Sequence, residues 1–298
     1  MTCVLWETRA KRSAARNDFG AVEMCAPHPS RYSSEEGERL VKERYAKFLE
    51  RWLVPCEQRR VATREGETFV VACGPEDAPP LVLLHGAMSN SAIWMGDAVA
   101  WSAHFRVYAV DMIGEAGLSA PSRPTLDSEA YALWLDDVME GLGLEGVSIV
   151  GVSLGGWLAL DYATRRAERV ERVAVLCPGG VGRQLPEGPS KIVLRAPEGA
   201  SAPVQRFFDF IALIHENFLP RREELPIFSD EALKLLTMPV LAIVGGKDVM
   251  LDSAETKRRL ESNVARVEVR YLREAGHVIF GQTGTILTFL RGEQFAAA

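Results

Sequence analysis

Ser153 stands in Gly151-Val152-Ser153-Leu154-Gly155, and what lies on either side of this pentapeptide limits what the chain can become. Val147, Ser148, Ile149 and Val150 before it form a short run of strand type. Residues 154–167 after it carry helical spacing. A strand that turns straight into a helix at a serine leaves no room for side chains two residues to either side, hence the glycines. The turn strains the backbone at Ser153 and pushes its hydroxyl out of the fold. Free N–H groups at the start of the helix point at the same spot. The five-residue pattern alone also fits an ordinary glycine-rich turn, so the strand before it and the helix after it carry the weight.

The same alternation runs through most of the chain. Strands are predicted over 81–84, ending at His85-Gly86, over 105–110, ending at Asp111, and over 147–150, 173–177, 240–244 and 265–272. Helices are predicted over 154–167, near 253–262 and over about 278–291, and another, capped by Asp127, carries Tyr131, Leu135, Val138 and Leu142 on one face. Ser33-Ser34-Glu35-Glu36 reads as a capping box before a helix with Val41, Tyr45, Phe48, Leu49 and Trp52 as its apolar stripe, ended by Pro55. Residues 56–64 and 67–73 form a hairpin around Arg64-Glu65-Gly66. Short apolar strands separated by helices imply parallel strands with right-handed crossovers and both sheet faces covered. The fold class is therefore α/β, with a mostly parallel central sheet, helices on both faces and a helical cap insertion. The cap is read over 181–236, where no strand interrupts the helical spacing of Val204, Phe207, Phe208, Ile211, Leu213, Ile214 and Phe218. The core spans 33–180 and 237–298, and residues 1–32 form a loose extension.

A serine nucleophile needs a base, and the base needs an acid to orient it. On a sheet of this kind the order is serine, acid, histidine. After Ser153 there are His215, within the apolar insertion, and His277, directly beyond the last predicted strand. Ligands gather at the C-terminal ends of strands in open α/β sheets, which selects His277. The same rule selects Asp248, in Gly245-Gly246-Lys247-Asp248 after strand 240–244, over Asp252, which suits the start of the next helix. His85, which precedes the serine, is read as holding the loop it begins. Attack on an ester carbonyl would put negative charge on oxygen, where two fixed donors are needed. The N–H of Leu154 is one, and that of Ala87, in His85-Gly86-Ala87-Met88, is the other. Met88, Phe207, Phe208 and Ile211 are candidates for the substrate pocket.

Composition excludes several classes. The net charge of -6 offers no basic footprint for nucleic acid or an anionic membrane. No apolar run approaches the ~18–20 residues of a membrane span. The first twenty residues hold Arg9, Lys11, Arg12 and Arg16 without an apolar stretch behind them, which argues against a secretory signal. Five scattered cysteines make neither a disulfide framework nor a zinc site, and suit reduced thiols in the cytoplasm. No metal or organic cofactor is called for.

Taken together, Leu83-Leu84-His85-Gly86, the segment from Asp111 to Ser119, the turn at 151–156, Gly245-Gly246-Lys247-Asp248 and Gly276-His277 resemble the α/β-hydrolase superfamily, in particular its serine carboxylesterase-like branch. The resemblance covers about residues 55–292. It implies hydrolysis of a small-molecule carboxylic ester through an acyl-enzyme at Ser153, with His277 as base and Asp248 as acid. Lactone and thioester hydrolysis, or cofactor-free perhydrolysis as in the so-called haloperoxidases, would use the same residues. Val152 stands where carbon–carbon bond hydrolases of the superfamily usually carry asparagine, and Ser153 itself argues against the aspartate-dependent epoxide hydrolases and dehalogenases. A ligand receptor on the same fold is the reading from a different class. A burst of alcohol from a chromogenic ester separates it from the enzymes.

Overall fold

The computed structural model describes residues 30–185, 196 and 198–293. Most of the expected N-terminal extension and residues 186–195 and 197 of the expected cap lie outside the described residues.

An eight-stranded sheet organises the described residues, in the order β1-β2-β4-β3-β5-β6-β7-β8. The hairpin β1 (Cys56–Thr63) and β2 (Gly66–Cys73) is antiparallel, and β2 runs antiparallel to β4 (Arg106–Val110). From β4 through β3 (Pro80–Leu84), β5 (Val147–Val152), β6 (Val170–Leu176), β7 (Val240–Gly245) and β8 (Val267–Leu272) every neighbour is parallel. Strands β3 and β7 are apolar throughout, and β4, β5 and β6 are so over their C-terminal halves, because both faces are covered there. Alternate residues go to opposite sides, as the pleat requires: Val82 and Leu84 face one core, Leu81 and Leu83 the other.

On the first face lie α3 (Ala130–Leu142), α4 (Leu154–Arg165) and α7 (Ser253–Asn263). On the second lie α1 (Glu35–Leu49), α2 (Met95–Trp101) and α8 (Thr283–Leu290). Several local expectations need correction. Ser34 caps α1 by accepting the N–H of Gly37 at 3.0 Å. With glycine at that third position no side chain can reach back, and Glu36 pairs outward with Arg39 instead. Asp127 does not cap α3, which starts later, with Glu129 at the cap position and no side-chain bond there. The short helix α2 and the 3-10 turn Ser91–Trp94 before it had no counterpart in the sequence reading, since seven residues are too few to show a period. The last helix begins at Thr283, leaving 278–282 as loop.

The stretch 181–236 divides between the two faces. Its long helix α5 (Ala202–Asn217) packs on α1, where Phe210 stacks on Phe48 at 4.9 Å and on Tyr45 at 6.1 Å between ring centroids. Backbone bonds from Ser33 N–H to Asn217 O (2.8 Å) and from Leu219 N–H to Arg31 O (2.7 Å) tie the end of α5 to the chain before α1. Beyond α5 the chain crosses to the first face, where Phe228 stacks on Trp157 at 6.1 Å and the short helix α6 (Asp230–Lys234) buries Leu233.

Candidate functional site

Strand β3 is followed in sequence by β4 on one side and has β5 on the other, so the connections after β3 and β5 leave in opposite directions, the switch point at which open sheets of this kind bind ligands. The loop carrying Ala87 leaves β3 there, and Ser153 leaves β5. Ser153 joins β5 to α4 with φ 53° and ψ −113°, a region that a residue with a Cβ seldom occupies. The turn is held by Ser153 N–H to Leu176 O and Trp157 N–H to Ser153 O, both 2.9 Å. A Cβ on Gly151 would overlap the carbonyl of Gly155, and one on Gly155 would overlap the carbonyls of Leu84 and His85. The glycines are thus set by close backbone approach, and the strain at Ser153 aims its hydroxyl outward.

His277 Nε2 lies 3.0 Å from Ser153 Oγ, and its Nδ1 lies 2.8 Å from Asp248 Oδ2. A carboxylate can only accept, so Nδ1 carries the proton and Nε2 is free to take one from the serine. The Asp248 side chain is fully buried. Its Oδ1 accepts the N–H groups of Met250 (2.7 Å) and Leu251 (3.1 Å). Burial pushes this carboxyl up, but the bond and charge of His277 together with the two backbone donors outweigh it and hold the group below the usual carboxylate range. The neighbouring Cys177 thiol is lifted by burial and by the charge of Asp248, which keeps it protonated. Donor atoms of Cys177, Asp248 and His277 lie within 4.8 Å of one another, a spacing also met in metal sites. In this arrangement the facing atoms of His277 and Asp248 are engaged with each other.

Asp252 is the N-cap of α7, accepting Glu255 N–H at 2.9 Å and pairing with Arg183. His215 sits in the last turn of α5, where burial lowers its pKa.

The loop after β3 runs against Ser153: a Cβ on Gly86 would be 3.6 Å from that of the serine. Leu154 opens α4, so its N–H precedes the first intrahelical bond. His85 is fully buried, accepts Met112 N–H on Nε2 at 2.9 Å, and donates from Nδ1 to Gly86 O at 2.8 Å. Burial lowers its pKa and favours this neutral form. Asp111, also buried, gathers Tyr45 Oη–H, Ser91 N–H, Ser91 Oγ–H and Leu118 N–H. The sequence reading missed Glu115, whose carboxylate accepts Met88 N–H at 2.7 Å. The signal was an acidic residue inside a run of small and apolar ones, and nothing local says what it meets.

Of the pocket candidates on α5, Phe208 reaches Phe280, three residues beyond His277, at 5.9 Å between centroids. Phe207 turns edge-on to Phe48 of α1 at 6.4 Å, and Ile211 is buried in the core beneath. Met88 is half-buried in the loop after β3 and packs on the same core.

Residues 81–287 match the model of the alpha/beta hydrolase family. A Bacillus subtilis (strain 168) protein described as uncharacterized carboxylesterase nap is 34% identical over 257 residues, covering 79% of this chain and 85% of its own. The crystal structure of carboxylesterase CesB (YbfK) from Bacillus subtilis superposes with a TM-score of 0.76 at 29% identity, over 87% of this chain and all of that one. That of naproxen esterase (carboxylesterase NP) from the same organism gives 0.72 at 30% identity, over 84% of this chain and 95% of the other.

Proposed function

The chain belongs to the alpha/beta hydrolase family, and on that premise we propose that it hydrolyses small-molecule carboxylic esters through an acyl-enzyme on Ser153. The observation that carries this reading is the unbroken line Ser153 Oγ, His277, Asp248, with contacts of 3.0 and 2.8 Å. As Ser153 Oγ bonds to the ester carbon, its proton passes to His277 Nε2 and the carbonyl electron pair moves onto oxygen. That oxyanion is met by the N–H groups of Leu154 and Ala87. Asp248, ionised at neutral pH, stabilises the imidazolium and holds the productive tautomer. Collapse expels the alcohol with the proton from His277, and water repeats the sequence to release the acid. The cap reading of α5 belongs to this proposal, with Phe208 as the pocket residue beside the His277 loop. The free thiols of Cys56, Cys73 and Cys177 suit a reducing compartment, and we place the enzyme in the cytoplasm. No helix among the described residues is long and apolar enough to cross a membrane.

The test is covalent labelling by an organophosphonate followed by peptide mapping, with a chromogenic ester in parallel. Wild type is expected to label on Ser153 and to release a burst of alcohol, and Ser153→Ala to do neither while melting cooperatively. Labelling that persists in the alanine variant would sink the assignment, and an unreactive wild type would favour a receptor.

A further inference from the structure

Ala87 is held from both sides. Gly86 C=O and Ala87 N–H belong to one trans peptide, so fixing the oxygen fixes the opposite direction of the N–H. That oxygen accepts His85 Nδ1–H at 2.8 Å and Ser89 Oγ–H at 2.9 Å. The next peptide, Ala87 C=O to Met88 N–H, is fixed at its nitrogen by Glu115, at 2.7 Å. Met88 itself has φ 54°, in the left-handed region that favours glycine, so the loop would relax if nothing held it.

We propose that Glu115 is a positioning residue: by accepting Met88 N–H it locks the peptide after Ala87, so that Ala87 N–H stays aimed at the substrate oxygen. This rests on the oxyanion-hole reading above.

The surroundings of Glu115 fit a group kept for that task. It is buried, and among the described residues it makes no ion pair. The guanidinium of Arg123 gives its Nε to Gly114 O and a terminal nitrogen to Leu219 O, while Arg221 serves Tyr131 Oη and Pro124 O. The charged and titratable groups that face it are these two arginines, from the loops after β4 and after α5, with Tyr131 from α3 and Tyr32 from before α1. Burial wins over the Met88 N–H and the two arginines and lifts the Glu115 carboxyl to about 7. Where partners outweigh burial the shift runs the other way, as it does for Asp248. Charge strengthens the bond to Met88 N–H, so protonation of Glu115 loosens the loop as pH falls through that value.

The experiment compares wild type with Glu115→Gln, which keeps a neutral acceptor, and Glu115→Met, which keeps the bulk and removes it. Rates are expressed per active site titrated with the phosphonate. Glu115→Met is expected to lose about 10- to 100-fold in kcat, less than or equal to the loss of one oxyanion donor, with KM within about twofold. Glu115→Gln is expected to recover most of that loss at pH 8 and to show an acid limb of kcat/KM shallower by one proton than wild type. A Glu115→Met enzyme that turns over within about twofold of wild type overturns the proposal. If that variant does not fold, identical acid limbs for wild type and Glu115→Gln overturn it. Phosphonate labelling of wild type keeps the outcomes apart: absent labelling removes the triad reading itself, whereas normal labelling with unaffected variants removes only the role of Glu115.

Discussion

Gly245, the last residue of β7, lies so close beneath Gly276 that a Cβ on it would overlap the carbonyl oxygen of Gly276. The contact joins the loop that carries Asp248 to the loop that carries His277. Lys247 N–H to Ala275 O, at 2.8 Å, and the ion pair of Lys247 with Glu274 reinforce it. Asp248 and His277 are therefore carried as one unit fixed at the ends of two adjacent parallel strands. Gly245→Ala is expected to force these loops apart, costing about 1–3 kcal/mol of stability by overpacking and lowering kcat more than it raises KM. A variant with normal Tm and kcat would show that the loops are not interlocked.

Replacing Asp248 with asparagine should lower kcat by about 10⁴, since the imidazole would adopt the wrong tautomer. Asp252→Asn should leave turnover nearly intact and reduce stability by no more than about 1 kcal/mol, because Asp252 caps α7 and asparagine also caps. Steady-state kinetics and melting curves on both variants check the pair, and the reverse ranking would exchange the two roles.

The pH dependence of stability below neutrality should separate Asp248 from Glu115, in two different windows. The folded pKa of Asp248 is depressed, so its contribution is present above the ordinary carboxylate range and is lost only as pH falls through that depressed value. Glu115 is the opposite case: raised to about 7, it favours the fold when protonated, and that stability is lost as pH rises from its unfolded value through about 7. The Tm of Glu115→Gln relative to wild type should therefore increase across that window. A difference that stays constant with pH would contradict the buried charge.

Phe208 and Phe210, two residues apart on α5, should answer differently to truncation. Phe210→Ala removes a buried ring stacked on Tyr45 and Phe48 and should cost about 3–5 kcal/mol without changing substrate preference. Phe208→Ala opens the side that faces Phe280, and should move the optimum towards longer acyl chains, each further buried methylene being worth about 0.8 kcal/mol. A graded series of acyl esters reads this directly. An unchanged series with lowered stability in both variants would make all of this helix core.

Much of the plan could be read in the chain because its causes are local. A strand at 147–150 running into glycines around Ser153 reflects steric demands within one turn, and in the structure Gly151 and Gly155 meet backbone oxygens for that reason. Alternating apolar runs implied a parallel sheet, and their strand ends, with the serine-acid-histidine order expected on such a sheet, pointed to Asp248 and His277, which the structure places in contact with each other and with Ser153. Signals that rested on one residue fared worse. Asp127 looked like a cap but lies before the start of α3, and Ser33 and Glu36 have the spacing of a box whose third position falls on Gly37. The short α2 had no period to reveal it.

What the sequence determined by itself is therefore the set of turns and strand ends, since these depend on neighbours within a few residues. The tertiary structure alone decided which distant groups meet. It brought His277 124 residues along the chain to Ser153, seated α5 on α1, and set the Glu115 carboxylate 27 residues from the N–H it accepts. Such pairings depend on strand order and on how helices pack across the sheet, which no local pattern encodes. Burial completes the decision: two carboxyls of similar intrinsic acidity are driven in opposite directions, Asp248 down by its donors and Glu115 up by desolvation that its donor and arginines do not offset.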